Sequence, residues 1–133
     1  MIVLDTHTLV WLDSGDTRLG KQSLTNIERA FEAHQLYVCA ISFWEIAMLV
    51  KKNRLKMNIA IEQWRKKLLN SGLQELKLSG DVAIQAGNFT ELHGDPADRM
   101  IIASTLAIDA NLCTADEKII AWMPEAHCLD ARV

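Results

Sequence analysis

The sequence predicts an α/β fold with three α/β/α layers, in which a central, mostly parallel sheet of four to five strands lies between helices. Two observations support this prediction. Short apolar segments of strand length alternate with longer segments of helical periodicity along the chain. The first strand segment, residues 1–4, is a continuous apolar run, as expected when helices cover both faces of a sheet. Right-handed crossovers would then join the strands.

Each element has its own signal. Residues 1–4 form a continuous apolar run, and a first helix begins near Thr6 or Thr8. In a second helix, 21–34, apolar residues recur at spacings of three and four, and the helix at 42–52 is strongly apolar. The remaining predicted helices are 59–70, 81–91, 95–110 and 117–122, and the remaining strands are 36–40, 75–78, 111–114 and a possible edge strand at 127–129.

Composition narrows the class of protein. At 133 residues, 50% of them hydrophobic, the chain suits one domain, 1–133, with a proper core. The net charge of −3 gives no overall basic signature for nucleic acid. The three cysteines lie in apolar segments, which indicates buried thiols in a reducing compartment. We find no signal peptide and no segment able to span a membrane, so we expect a cytoplasmic protein.

Four carboxylates lie where a predicted strand passes into a helix or in a helix's first turn. They are Asp5, Glu45, Asp98 and Asp116. In a parallel sheet these junctions meet at one edge, the carboxyl ends of the strands. Buried acids gathered there would repel one another unless a cation lay between them. Oxygen ligands suit Mg²⁺ or Mn²⁺, and His7, His34, His93 and His127 show no zinc-type spacing.

Helix capping is the alternative explanation for each acid. Asp5 or Thr6 is a suitable N-cap, residues 42–45 match a capping box, and Asp95 followed by proline starts a helix well. Asp116 is a suitable cap for 117–122. A capping side chain usually faces solvent, whereas apolar residues surround Glu45 on its helix. A buried carboxylate needs a partner, so capping does not fully explain this residue.

The motifs together resemble one family. Ile2-Val3-Leu4-Asp5-Thr6-His7, Ser42-x-x-Glu45, Asp95-Pro96-Ala97-Asp98-Arg99-Met100 and Thr114-Ala115-Asp116 occur in the order and spacing of a PIN-domain ribonuclease. More closely, they are similar to the VapC toxins of bacterial type II toxin–antitoxin systems. The similarity runs from Ile2 to Leu129.

The resemblance implies a PIN-like fold and Mg²⁺-dependent endonucleolytic cleavage of RNA. It also implies that a VapB-type antitoxin inhibits the protein and that the protein forms homodimers. The matching acids would hold one or two metals, with Asp5 and Asp98 as the most direct ligands and Glu45 and Asp116 completing the pocket.

Our mechanistic hypothesis is in-line attack by water that leaves 5′-phosphate and 3′-hydroxyl ends. Glu45 would orient or deprotonate the water, and Asp116 would hold the metal through water or ligate a second one. The hydroxyls of Thr6, Ser42 and Thr114, together with Arg99, would support the acids.

A basic segment is the candidate RNA-binding surface. Seven of the 14 lysines and arginines lie between residues 51 and 67. Lys51, Lys52 and Arg54 could neutralise phosphates, and Trp64 could stack on a base. The alternative is an ordinary solvated helix face and loop.

Four other functions remain open. A Mg²⁺-binding receiver-type signalling module would need an adjacent acidic pair after the first strand, where Asp5 stands alone. A dehalogenase-type phosphatase would need a second Asp at position 7, which is His7. A non-toxin PIN nuclease of RNA maturation or quality control is the more serious alternative, and a purely structural protein would show no nuclease activity.

Overall fold

The computed structural model describes residues 1–92 and 94–133, so His93 lies outside the described residues. The strands are β1 (Ile2–Leu4), β2 (Leu36–Cys39), β3 (Gln74–Leu76), β4 (Asn111–Thr114) and β5 (Cys128–Asp130). The helices are α1 (Thr6–Ser14), α2 (Lys21–Glu32), α3 (Ala40–Lys51), α4 (Ile61–Ser71), α5 (Gly80–Asn88), α6 (Pro96–Ala107) and α7 (Glu117–Trp122), and a 3₁₀ turn covers Glu125–His127.

The strands form one sheet in the order β3-β2-β1-β4-β5, and every pairing is parallel. This confirms the predicted α/β class and the parallel sheet. The chain builds outward from β1 to β3 on one side and then returns to add β4 and β5 on the other. The order of the strands therefore reverses between β1 and β4. In open parallel sheets a crevice forms at such a reversal, outside the carboxyl ends of the strands.

Helices cover both faces of the sheet. Ile2 and Leu4 point into a core that includes Leu9 of α1, Ile27 of α2 and Trp64 of α4. The side chain between them in β1, Val3, points into a second core. That second core is formed with Phe89, which directly follows α5, and with residues of α6 and α7, among them Ile101, Ile102 and Ile119. Because successive side chains of a strand alternate between faces, the apolar run of β1 serves both cores.

The difference from the sequence prediction that bears on the four acids is at the start of α3. The helix begins at Ala40, so Ser42 and Glu45 lie inside it and do not form the capping box that the local pattern suggested. The residue at the N-cap position, Cys39, makes no side-chain cap bond. Among the other differences, α5 ends at Asn88 and α6 at Ala107, each three residues earlier than predicted.

The cysteines behave as the sequence indicated. Cys39 and Cys113 are buried free thiols, and Cys128 is a half-buried free thiol. Burial raises the pKa of both Cys39 and Cys113 to about 12, so these two are inert at neutral pH. Among the helices of the described residues, none combines the length and apolar character needed to cross a membrane.

Candidate active site

Asp5 stands at the carboxyl end of β1 and is the N-cap of α1. Its backbone N–H donates to the Cys113 carbonyl at 3.1 Å, which ties it to β4. Its Oδ1 accepts from the Thr6 N–H at 2.8 Å, and its Oδ2 accepts from the Thr114 hydroxyl at 2.6 Å. The residue is only 6% exposed. Burial raises its pKa above the ordinary value, although the bond from Thr114 acts in the opposite direction.

Glu45 reaches the same edge from the second turn of α3. The Thr6 hydroxyl lies 2.6 Å from Glu45 Oε1 and 2.9 Å from the Ser42 hydroxyl. A hydroxyl has one proton, and the carboxylate is the stronger acceptor, so the Thr6 proton goes to Glu45 and the Ser42 hydroxyl can donate to Thr6. Burial is the main cause of the raised pKa of Glu45, and the charges of Asp95 and Asp5 add to it.

Asp95 and Asp98 occupy the start of α6. Asp95 is the N-cap, and its Oδ1 accepts from the Asp98 N–H at 2.8 Å, with Pro96 at the first helical position as predicted. Glu45, Asp95 and Asp98 each offer a carboxylate oxygen within 4.8 Å of the others, and we call these three residues the acidic cluster.

The electrostatics of Asp98 reflect this crowding. Burial and the neighbouring charges of Asp95, Asp5, Glu45 and Asp116 raise its pKa to about 7. The other three predicted acids and Asp95 therefore lie close enough to Asp98 for their charges to affect its protonation.

Asp116 follows β4 and caps α7, as the sequence indicated. Its Oδ1 accepts from the N–H groups of Lys118 at 2.9 Å and Ile119 at 3.3 Å. Its own N–H donates to the Thr114 hydroxyl oxygen at 3.1 Å. Because the same hydroxyl donates to Asp5, Thr114 links Asp5 to Asp116. The charge of Asp116 also raises the pKa of Asp5 and Asp98, as the weakest of the causes named for each.

The structure therefore divides the predicted acids into two groups. Glu45 and Asp98 belong to the acidic cluster, whereas Asp5 and Asp116 lie beside it and are joined through Thr114. The third member of the cluster, Asp95, was interpreted from the sequence only as a helix cap. The sequence signal for Asp95 was its spacing from Asp98, because two residues three positions apart at the start of a helix lie on the same side of that helix.

Arg99 does not support the acids as predicted. Its guanidinium donates to four backbone carbonyls at 2.7 to 3.3 Å, those of Ala86 and Gly87 at the end of α5 and those of Phe89 and Leu92 after it. None of the salt bridges among the described residues involves Arg99. The residue instead ties the end of α5 and the carbonyls of Phe89 and Leu92 to α6.

The structure also corrects the prediction that Trp64 stacks on a base. The side chain is 6% exposed, its indole N–H donates to Asp13 at 3.0 Å, and its ring packs edge-on against Phe43 with centroids 5.9 Å apart. A ring in this position has no face open to RNA. By contrast, Lys51, Lys52 and Arg54 are all exposed at and just after the end of α3.

His7 is the remaining titratable residue beside the acids. It is exposed in the first turn of α1, and its charge lowers the pKa of Asp5 and Glu45. In the part of the chain that the structure describes, the compact group of possible metal ligands contains carboxylates alone. Such a donor set suits a hard divalent cation and not zinc.

Comparison with known proteins agrees with this geometry. The PIN domain family model matches residues 2–121. Ribonuclease VapC22 of Mycobacterium tuberculosis (strain ATCC 25618 / H37Rv) is 30% identical over 119 residues, which are 89% of this chain and 88% of that protein. A solved structure described as a toxin–antitoxin complex from Klebsiella pneumoniae has a TM-score of 0.64 at 20% identity and covers 98% of both chains. The resemblance inferred from the acidic motifs is thus confirmed, and this chain belongs to the PIN-domain family.

Proposed function

We propose that this protein is a Mg²⁺- or Mn²⁺-dependent endoribonuclease and the toxin of a VapBC-type toxin–antitoxin pair. The observation that carries the proposal is the acidic cluster, with Asp5 beside it, at the carboxyl edge of the sheet. The similarity of this chain to a VapC ribonuclease, over most of both chains, supports the same activity. Membership of the PIN family also removes the receiver-module alternative.

The residues present fit a divalent cation. Three carboxylate oxygens within 4.8 Å of one another form a strongly negative pocket, and Asp5 adds a fourth charge nearby. Asp95, Asp98 and Asp5 are the residues we assign to hold the ion directly, with Glu45 holding it through the attacking water and Asp116 at the margin. A divalent cation bound there would offset these charges, lower the pKa of a nearby water and stabilise charge on a phosphodiester.

The protein's own groups prepare the reaction. The Thr6 hydroxyl holds one oxygen of Glu45, so the carboxylate is oriented and its other oxygen is left to receive the proton of the attacking water. The water oxygen bonds to phosphorus, the bond from phosphorus to the 3′ oxygen breaks, and that oxygen takes a proton. The products are a 5′-phosphate and a 3′-hydroxyl.

The partners follow from the same assignment. We propose an RNA substrate, inhibition by a VapB-type antitoxin, and action as a homodimer in the cytoplasm. The similarity to the chain of a toxin–antitoxin complex shows a shared fold and is compatible with this assignment. A non-toxin PIN nuclease of RNA maturation remains the second candidate, because it would use the same acidic site.

Digestion of total RNA tests the activity. We expect wild type to cleave with Mg²⁺ or Mn²⁺ and to stop in EDTA, and the new ends to carry 5′-phosphates. Asp98→Asn should lose at least about 100-fold in rate, since loss of a metal-site group has effects of this order. Glu28→Gln, an exposed change on α2, is the matched control and should cleave normally. Cleavage that survives EDTA, or an active Asp98→Asn protein, would refute the mechanism.

A growth assay separates the toxin from the maturation nuclease. Expression of the wild-type toxin in a bacterial host should arrest growth, and co-expression of a small protein encoded beside it should restore growth. Expression of Asp98→Asn should leave growth normal. Active enzyme that leaves growth unaffected would favour the second candidate.

A further inference from the structure

The outer face of α3 carries an exposed aromatic side chain next in sequence to Glu45 of the acidic cluster. Trp44 is 53% exposed, whereas Phe43 and Ile46 on the opposite side of the helix are buried at 9% and 0%. In the described residues no other Phe, Trp or Tyr side chain is exposed. An exposed ring of this size buries apolar area when a ligand covers it, which makes it a candidate contact residue.

The direction of α3 places this ring toward the acids. The helix begins directly after β2, so its first turns lie at the carboxyl edge of the sheet, and Trp44 is adjacent in sequence to Glu45. Side chains on a helix lean toward its N-terminus. The indole of Trp44 therefore leans toward the edge of the sheet where the acidic cluster lies.

The same face of α3 carries a positive charge at the C-terminal end of the helix. Lys51 follows Trp44 by seven residues, which brings it within about 20° of the same direction and about 10 Å along the axis. Met48 lies between them on this face and is half-buried. Lys51 is exposed, as is the adjacent Lys52, and neither forms a salt bridge with any residue in the described ranges.

We propose that Trp44 and Lys51 form a binding track for single-stranded RNA, in which the indole stacks on a base near the scissile phosphate and Lys51 contacts the backbone. The inference rests on the proposed nuclease function. A polyanion approaching the acidic cluster is repelled until it is held by other contacts, and a neutral ring with a cation along the same helix supplies them. Trp44 therefore replaces Trp64, which is buried, as the residue proposed to stack on a base.

Binding measurements in an Asp98→Asn background test the track without cleavage. Trp44→Ala should weaken binding of a single-stranded RNA by about 5- to 150-fold, the effect of losing one stacked base. Trp44→Phe should recover most of the affinity. Ile84→Ala is the matched control, since Ile84 is 65% exposed on α5, a helix that packs against α6, and should bind as the parent protein does.

Two readouts distinguish stacking from a structural effect. On an oligonucleotide of the same length without bases, Trp44→Ala and its parent should bind equally. Lys51→Ala should reduce the slope of log affinity against log salt by about 1, whereas Trp44→Ala should leave that slope unchanged. Thermal melts of each variant establish that the folded protein is being compared.

Three results would contradict the proposed binding track. If Trp44→Ala binds RNA as tightly as its parent while wild type cleaves RNA, the track is refuted and the nuclease function stands. If it changes only the sedimentation of the protein, the face of α3 binds a second copy and not RNA. If wild type neither binds nor cleaves RNA with Mg²⁺ or Mn²⁺, the proposed function and the track are both overturned.

Discussion

Replacing Asp98 with asparagine should make the metal-free protein more stable at pH 8. Burial and four neighbouring carboxylates raise the pKa of Asp98 from 3.8 to about 7. The folded state therefore holds this proton more tightly than the unfolded state does. Its contribution to stability is complete below pH 4 and is lost as the pH rises through 7. Asparagine carries no charge at any of these pH values and keeps the shape of the side chain.

The size of the effect follows from the same pKa. A change from 3.8 to about 7 corresponds to roughly 4 kcal/mol without screening. Asp98 is only half-buried, and solvent screening reduces the expected difference to on the order of 1–2 kcal/mol. For a domain of 133 residues this is a rise in Tm of roughly 3–10 °C.

Thermal melts followed by circular dichroism in EDTA provide the assay. Asp98→Asn should melt above wild type at pH 8, and the gap should shrink by more than half at pH 5. Glu28→Gln, which removes an exposed charge from α2, should show no such dependence on pH. Saturating Mg²⁺ should raise the Tm of wild type more than that of Asp98→Asn. A variant no more stable than wild type at pH 8 in EDTA would refute the electrostatic reasoning.

Two further predictions concern single contacts. Thr6→Val removes the hydroxyl that donates to Glu45 and lies against Ser42, so we expect urea denaturation to show a loss of about 1–3 kcal/mol and RNA cleavage to fall at least tenfold. Gly20→Ala places a methyl group into the backbone of Val133, so it should displace the segment that follows β5 and lower the free energy of unfolding by about 1–3 kcal/mol in the same assay.

Each of these changes has a matched control. Thr25 is an exposed threonine whose hydroxyl donates only within α2, so Thr25→Val should change stability by less than about 0.5 kcal/mol. Nothing lies within 4 Å of a Cβ added at Gly80, the first residue of α5, so Gly80→Ala should be neutral or stabilising. A control that loses as much stability as its partner would show that the named contacts are not responsible.

The elements predicted best were those with purely local signals. The strand 111–114 and the helix 117–122 were predicted with the bounds that the structure has, since an apolar run ends at Thr114 and Asp116 caps the following helix. Asp95 and Pro96 likewise start α6 as expected. In these segments capping and periodicity agree with the tertiary fold, so local reasoning was sufficient.

The errors arose where the partner is distant in sequence. Ser42 and Glu45 match a capping box, but both contact the Thr6 hydroxyl, 36 and 39 residues away, and the helix starts earlier. Trp64 is buried because it packs in the first core against residues distant in sequence, and Asp13, 51 residues away, accepts its indole proton. A sequence read locally shows which residues are able to act, and the packing of distant segments decides which of them do.

The acids of this site are positioned by neutral donors. Hydroxyls of Thr114 and Thr6 hold Asp5 and Glu45, and a backbone N–H holds Asp95. These bonds orient the carboxylates but leave their negative charge in place, whereas an arginine in the same position would have neutralised it.

Arg99, the guanidinium next in sequence to Asp98, is instead engaged by backbone carbonyls. The uncompensated negative charge of the site's carboxylates has two consequences. Repulsion destabilises the metal-free fold above neutral pH, and the same repulsion is relieved when a divalent cation binds. A substitution that stabilises the metal-free protein by removing one of these carboxylates must therefore weaken its affinity for the cation, because both effects measure the same interaction between charges.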